Sequence, residues 1–427
     1  MPTDDAGHLI DFALHFALQQ ASDTARERAR LLVLDTCGAM LAAMPHAIGK
    51  IAYAQALRTQ TLNEASLAGS DIRVGMLEAA QANGILANAV DFDEGSHVAT
   101  VALPAALAMA EKMSLSGGDF LAAFMVAFEI ASRLREAIAP ALGQRGLWHI
   151  GHVGPLAAAL CGARLLELDA AKARIALSIA TASSGGYRRH LGTMTKALHS
   201  GHAARAGLEA ALLARDGFTA DADMLEADDG WLASLTAPQE PARAALRDLM
   251  KRPLLLDQPT KIKVMPVCTP IAPALDALMT CLRRNNIAVS DIARLSVDLK
   301  RGSLVRDRPG DLDAAPFSGR FLIALAVTRG VTLHTISEEA LVDPTITDLM
   351  ERIDDAPGAT SARLTLTNGQ ELAEPLSPVR RLTTRDEITA KFRVCAGTVW
   401  PEPRITAFID KVLAADTLAD INQLFAP

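Results

Sequence analysis

The stretch Gly201–Asp216, GHAARAGLEAALLARD, decides the fold class. Ala203, Ala204, Gly207 and Ala211 fall on one side of a helix, because residues three and four apart share a face. Small side chains at that spacing let a second helix approach closely, so the segment reads as a central, tightly packed helix. Its neighbours agree. Arg30–Met44 (RLLVLDTCGAMLAAM) ends before Pro45, and Phe120–Ile138 (FLAAFMVAFEIASRLREAI) follows Gly117-Gly118-Asp119, with Asp119 predicted as its N-cap. Pro155–Leu166 and Ala170–Ser184 are separated by Glu167-Leu168-Asp169, where Asp169 can cap the second helix. Several of these segments are apolar nearly all round, as helices at the centre of a large bundle are.

Past about residue 260 the pattern changes. Leu295–Leu299 (LSVDL) alternates like a half-buried strand, and Leu364-Thr-Leu-Thr, Asn368-Gly369 and Gln-Glu-Leu372 read as a hairpin around a type I′ turn. Helical stretches near Pro273–Arg284, Ser318–Arg329 and Thr345–Ile353 lie between them, and a helix from about Ile405 to Phe425 closes the chain. The fold class is therefore mainly α, a large all-helical part plus a smaller α+β part.

Composition bounds the function. A chain of 427 residues exceeds what one core usually serves. Half of it is hydrophobic but only 4% aromatic, so its cores are built from Ala, Leu, Val and Ile. A net charge of −7 excludes the basic face that nucleic acid requires, yet leaves room for a local cationic pocket and an anionic small molecule. Five scattered cysteines suggest neither a disulfide framework nor a zinc site, so a reducing compartment is expected. The N-terminus carries Asp4, Asp5 and Asp11 without a basic leader, and reads as an amphipathic helix and not a signal peptide. No run approaches the roughly 18 apolar residues of a membrane span, and a cytoplasmic location is expected.

Chemistry concentrates in the first half. Of ten histidines, six fall between residues 97 and 202 (His97, His149, His152, His190, His199 and His202), far more than an even spread would place there. Histidine is suited to proton transfer at neutral pH, although any one of these is equally well read as a hydrogen-bonded structural residue. Asp91-Phe92-Asp93-Glu94-Gly95-Ser96-His97 puts three carboxylates and a histidine at a helix–helix junction. Such acids can orient a histidine; the plainer reading is an acidic capping loop. Tyr187–His202 (YRRHLGTMTKALHSGH) runs a Gly-Thr-x-Thr-Lys loop into a helix N-terminus, where backbone N–H groups, Lys196 and Arg188 or Arg189 suit a carboxylate. His199 and His202 lack a third, acidic ligand nearby, so no metal is assigned.

With these motifs in view, the chain resembles the MmgE/PrpD family, whose members include 2-methylcitrate dehydratase, cis-aconitate decarboxylase and iminodisuccinate epimerase. The resemblance rests chiefly on Gly192–Phe218 (GTMTKALHSGHAARAGLEAALLARDGF) and on Asp91–His97 with Leu103–Glu111 behind it. Gly146-Leu-Trp-His149 and Lys263–Cys268 add weaker signals, as does Phe317-Ser318. It implies an all-helical domain over residues 1–262 and 393–427 and a smaller α+β domain over 263–392. It also implies a homodimer and an active site between the domains that uses no metal or organic cofactor. The substrate implied is a small di- or tricarboxylate, with Asp93, His97, His149 and Lys196 as catalytic residues. Asp91, Arg188, Arg189, His190, His199 and Lys263 are candidate substrate ligands. Ala272 and Phe321 stand where the family carries polar side chains, which points to a smaller substrate or a rearranged pocket.

All these chemistries stabilise negative charge on a carbon beside a carboxylate, by a base together with fixed cations. His97, oriented by Asp93 or Asp91, is the candidate acid or base, His149 the second proton-transfer group, and Lys196 the carboxylate holder. A dehydratase-type lyase ranks first, a dicarboxylate epimerase second and a decarboxylase third. A carboxylate-binding protein without catalysis is the alternative from another class.

Overall fold

The computed structural model describes residues 4–426, apart from 237, 252–253 and 302–303. It is 61% helical. The chain begins with α1 (Asp5–His15), α2 (Asp23–Ala43) and α3 (Ala47–Ala56), followed by a short ribbon of β1 (Ala65–Ser66) and β2 (Arg73–Val74). Then come α4 (Met76–Ala89), α5 (Ala99–Lys112), α6 (Gly117–Gln144), α7 (His149–Leu165), α8 (Ala170–Thr181) and α9 (Met194–Arg215). Two further helices, α10 (Trp231–Leu235) and α11 (Glu240–Lys251), complete the first part.

Small residues set how close these helices lie. A Cβ on Gly154 of α7 would sit 2.7 Å from the Cβ of Ala203 on α9, and one on Gly84 of α4 would sit 2.7 Å from the Gly201 Cα. Neither distance is sterically allowed, so α9 is wedged between α7 and α4 at near backbone contact. That wedge fixes where the first turn of α9, with Lys196, meets the last turn of α4.

The second part holds α12 (Ala272–Asn285), β3 (Ile292–Val297), α13 (Gly319–Arg329), α14 (Glu338–Val342), α15 (Pro344–Met350) and β4 (Ile353–Asp355), then β5 (Ser361–Leu366) and β6 (Glu371–Pro375). The sheet order is β4-β3-β5-β6, with β3 parallel to β4 (Leu295↔Ile353) and antiparallel to β5 (Leu295↔Leu364). Its buried face packs on α12 and α13 around Leu275, Leu295, Phe321 and Leu364, a core separate from that of the helical part. The chain then returns through α16 (Arg385–Ala396) and α17 (Glu402–Leu413) to the first core. The return starts at Leu382, and Ile388 and Phe392 are already in that first core, ahead of the expected boundary at 393.

Several local expectations shift. The cap of α6 is Ser116, whose hydroxyl accepts from the Asp119 N–H, because the helix begins at Gly117 and encloses Asp119. The closing helix ends at Leu413, giving way to short turns. The hairpin turn is not type I′: only Gly369 is left-handed, and the Gly369 N–H bonds the Leu366 carbonyl. This is a type I turn with glycine in the bulge position, the usual three-residue solution. No single helix among the described residues is long and apolar enough to cross a membrane.

Candidate active site

The segment between α4 and α5 is strained and heavily tied. Asp91 and His97 both adopt left-handed backbone conformations (φ 52° and 64°), which side chains with a Cβ occupy at a cost. Glu94 compensates: its carboxylate accepts from the backbone N–H groups of Ser96 (2.7 Å) and Val98 (2.8 Å), serving the exposed donors at the start of α5. The Gly95 N–H donates to the Lys261 carbonyl (2.8 Å), and Glu94 bridges to Ile262, which bridges in turn to Leu382. From α16, Lys391 donates to the Phe92 carbonyl, pairs with Asp35 (2.6 Å) and lies 3.9 Å from the Phe92 ring centre. Burial pushes the Asp35 carboxyl up to about 6 even with Lys391 beside it.

Inside this frame, His97 Nδ1 meets Asp93 Oδ2 at 2.7 Å, and His97 Nε2 lies 3.9 Å from Asp91 Oδ1. The carboxylate fixes the proton on Nδ1 and leaves Nε2 for chemistry. Asp91 accepts from two ammonium groups, Lys196 (2.7 Å) and Lys263 (2.8 Å), one on each oxygen. Burial alone would raise the Asp91 and Asp93 carboxyls. The charges of Lys196 and Lys263 on the first, and of His97 on the second, outweigh it and hold both below their usual range. Burial likewise works against the charge on Lys263, but Asp91 and Asp93 raise its pKa. His149 Nε2 is 3.0 Å from the Ser96 carbonyl, which can only accept. Burial and the nearby charge of Arg135 push His149 well below its ordinary value. A neutral ring that donates from Nε2 keeps a bare Nδ1.

These groups border a cleft of about 320 Å³. Asp91, His97, His149 and Arg188 line it directly, whereas Asp93, Lys196 and Lys263 lie buried behind. Lys196 was expected to hold a substrate carboxylate, but its ammonium already donates to Asp91 and to the backbone and side-chain oxygens of Asn88. All three of its N–H donors are in use. Arg189 is exposed, and neither it nor His190 or His199 reaches the cleft. His199 has both ring nitrogens engaged, Nδ1 by the Thr195 carbonyl (2.7 Å) and Nε2 by the Tyr187 N–H (3.3 Å). Ala272 and Phe321 are buried in the second core and do not line this cleft, and Ala272 borders an adjoining cavity of about 140 Å³ with Lys263 and Thr269. Arg135, Trp148 and Thr269 do line it and were missed. The available signal was a tryptophan directly before His149. A larger groove, about 450 Å³, runs over α3, α4 and α9 and contains none of the candidate residues.

Asp91, Asp93 and His97 offer three atoms close enough to share a cation. Both oxygens of Asp91 already face ammonium groups and His97 Nδ1 is held by Asp93, so the donor set suits a proton relay better than a metal.

The helical half matches the model of the MmgE/PrpD N-terminal domain over residues 7–244. The chain belongs to the MmgE/PrpD family. Its relatives include cis-aconitate decarboxylase of Aspergillus terreus, 27% identical over 97% of this chain and 94% of that protein. A cis-aconitate decarboxylase-like protein of Aspergillus oryzae is 29% identical over 84% of each. Human cis-aconitate decarboxylase is 32% identical over 49% of this chain and 46% of its own length, about half of each protein. In this MmgE/PrpD chain the matched domain contains Asp91, Asp93, His97, His149, Arg188 and Lys196, while Lys263 and Thr269 lie beyond it.

Proposed function

We propose that the protein is a cofactor-independent lyase acting on a small polycarboxylate, with bond breaking at a carbon conjugated to a carboxylate. The observation that carries this reading is the His97–Asp93 pair facing a cleft that also holds a neutral His149 and two arginines. Decarboxylation moves ahead of the dehydration ranked first from sequence, because the relatives bear that name. The carbon–carbon bond to the departing carboxylate breaks, carbon dioxide leaves, and the bonding electrons spread over the remaining unsaturated carboxylate. A proton from His97 Nε2 ends the carbanion, while Asp93 holds the ring in place. Arg188 supports the remaining carboxylate.

Dehydration stands as a second reading on one observation, the presence of two proton-transfer rings 6.5 Å apart on the same cleft. In that case His149 Nδ1 takes the proton and His97 gives one to the leaving hydroxyl. The reading includes a homodimer in a reducing cytoplasm. Exposed Ile51 and Leu198 at the groove over α3 and α9 are a surface that a second copy would cover. Incubation with cis-aconitate, 2-methylcitrate and four-carbon analogues in deuterated water, followed for carbon dioxide, alkene and deuterium incorporation, tests the proposal. Carbon dioxide with one deuterium on carbon supports decarboxylation, and alkene formation without carbon dioxide supports dehydration. Neither product nor exchange from any of them defeats the lyase reading.

A further inference from the structure

Three cleft-lining residues present buried polar atoms without a hydrogen-bond partner among the described residues: Arg135 Nε, Trp148 Nε1 and Thr269 Oγ1. Folded proteins satisfy the great majority of such atoms. Three orphans on one cavity wall system are therefore a statement about what the cavity takes. Arginine and indole nitrogens only donate, so Arg135 and Trp148 ask for an acceptor. Arg135 also forms no ion pair among the described residues. Trp148 lies tilted against His149 with ring centres 4.5 Å apart and 5.7 Å from the His97 ring, which puts the indole nearer His149, and Arg135 acts electrostatically on the His149 ring.

Charge bookkeeping points the same way. Asp91 and Asp93 are matched by Lys196 and Lys263, so the buried cluster behind the cleft carries no surplus cation for a ligand. The surplus comes from Arg135, which lines the cleft and whose Nε has no partner among the described residues. We infer that Arg135 and Trp148 form a second carboxylate subsite, on the His149 side of the carbon next to His97, so that the ligand carries at least two carboxylates. The fork of the guanidinium suits a carboxylate in two-point contact, and the indole N–H supplies a third donor. Thr269, just ahead of α12, adds a hydroxyl to the lining. The location of the reacting carbon rests on the lyase reading above; the subsite itself does not.

Calorimetric binding of succinate and butyrate, two inert acids of equal chain length that differ by one carboxylate, tests the assignment on the full-length protein. The wild type binds succinate more tightly, and Arg135→Gln weakens succinate by about 10- to 100-fold while moving butyrate by less than about 3-fold. Trp148→Phe keeps the ring, loses the N–H, and weakens succinate alone by about 3- to 10-fold. Equal losses for both acids, no loss for succinate, or no preference for succinate in the wild type would overturn the subsite. If Arg135→Gln does not reach a native circular dichroism spectrum, the Trp148→Phe comparison decides by the same criteria. Succinate selectivity that vanishes in Arg135→Gln, in a protein that turns over no carboxylate, would retain the subsite and defeat the lyase reading.

Discussion

Two pairs of histidines lie close together in this molecule, and they differ in what their nitrogens are left to do. The His190 and His199 rings stand edge to face with centres 5.6 Å apart; those of His97 and His149 lie nearly parallel at 6.5 Å. By distance the first pair is the tighter, and by sequence it sits in the most recognisable motif. Yet His199 spends both nitrogens on backbone groups, and burial lowers its pKa, so it serves as a neutral tie between the start of α9 and the 187–190 turn. His97 and His149 each spend one nitrogen on the protein and border a cavity. Proximity of imidazoles says little; a ring nitrogen unclaimed by the backbone and facing open volume says much more.

The sharpest way to break the contrast is to remove His97. His97→Asn should keep the fold, leave KM nearly unchanged and lower kcat by about 10²–10⁴-fold, the range of acid–base catalysis. A stable variant that retains more than about a tenth of the wild-type kcat would take His97 out of the mechanism.

Lys196 tests whether the cluster behind the cleft is structural support. Lys196→Ala leaves Asp91 buried with one of its two ammonium partners gone. Breaking a buried pair costs about 3–5 kcal/mol, which urea unfolding would record as a lower midpoint. Unchanged stability with a raised KM would restore the direct carboxylate contact expected from sequence.

His199→Leu should show the reverse pattern to His97→Asn: a stability loss of about 1–3 kcal/mol from unsatisfied backbone groups, with kcat/KM within about 3-fold of wild type for the surviving folded protein. A fall in kcat comparable to that of His97→Asn would erase the distinction between the pairs.

The smallest effect concerns pH. The His149 pKa is depressed in the folded state, so below about 6.5 the unfolded chain binds a proton that the folded one refuses. Its contribution to stability is thus present above that pH and lost as pH falls toward the folded value. The slope is at most about 1.4 kcal/mol per pH unit for one proton. His149→Gln should flatten the wild-type curve in that window, and an identical slope in the variant would show that His149 does not titrate there.

Much of the helical part was legible because its long helices announce themselves locally, whereas α3, α10 and α11 were not anticipated. Asp169 caps α8 as read, its carboxylate accepting from the Lys172 N–H, and the small-residue face of α9 meets Gly154 and Pro155 of α7. Starts were read late where a helix opens on polar residues: α2 begins at Asp23 and α7 at His149, both ahead of the apolar stretch that betrays them. In the site, Asp91, Asp93, His97, His149, Arg188 and Lys263 could be named because they cluster in sequence or carry the family resemblance. Arg135 could not: it sits on α6, far along the chain from the acidic loop, and its significance comes from having no partner, which only three-dimensional packing reveals. Glu94 was grouped with the reactive acids because residue type does not tell a catalytic carboxylate from one serving backbone donors.

The bridge that runs from Glu94 to Ile262 and on to Leu382 joins three strands of chain that are remote in sequence. Helices of the first part can form early from local contacts, but this bridge closes only after the chain has left for the second core and come back. Far-UV ellipticity should therefore recover before catalytic competence when the protein refolds, and a nascent chain lacking its last 45 or so residues would carry His97 and Asp93 on a loop without its Lys391 tie.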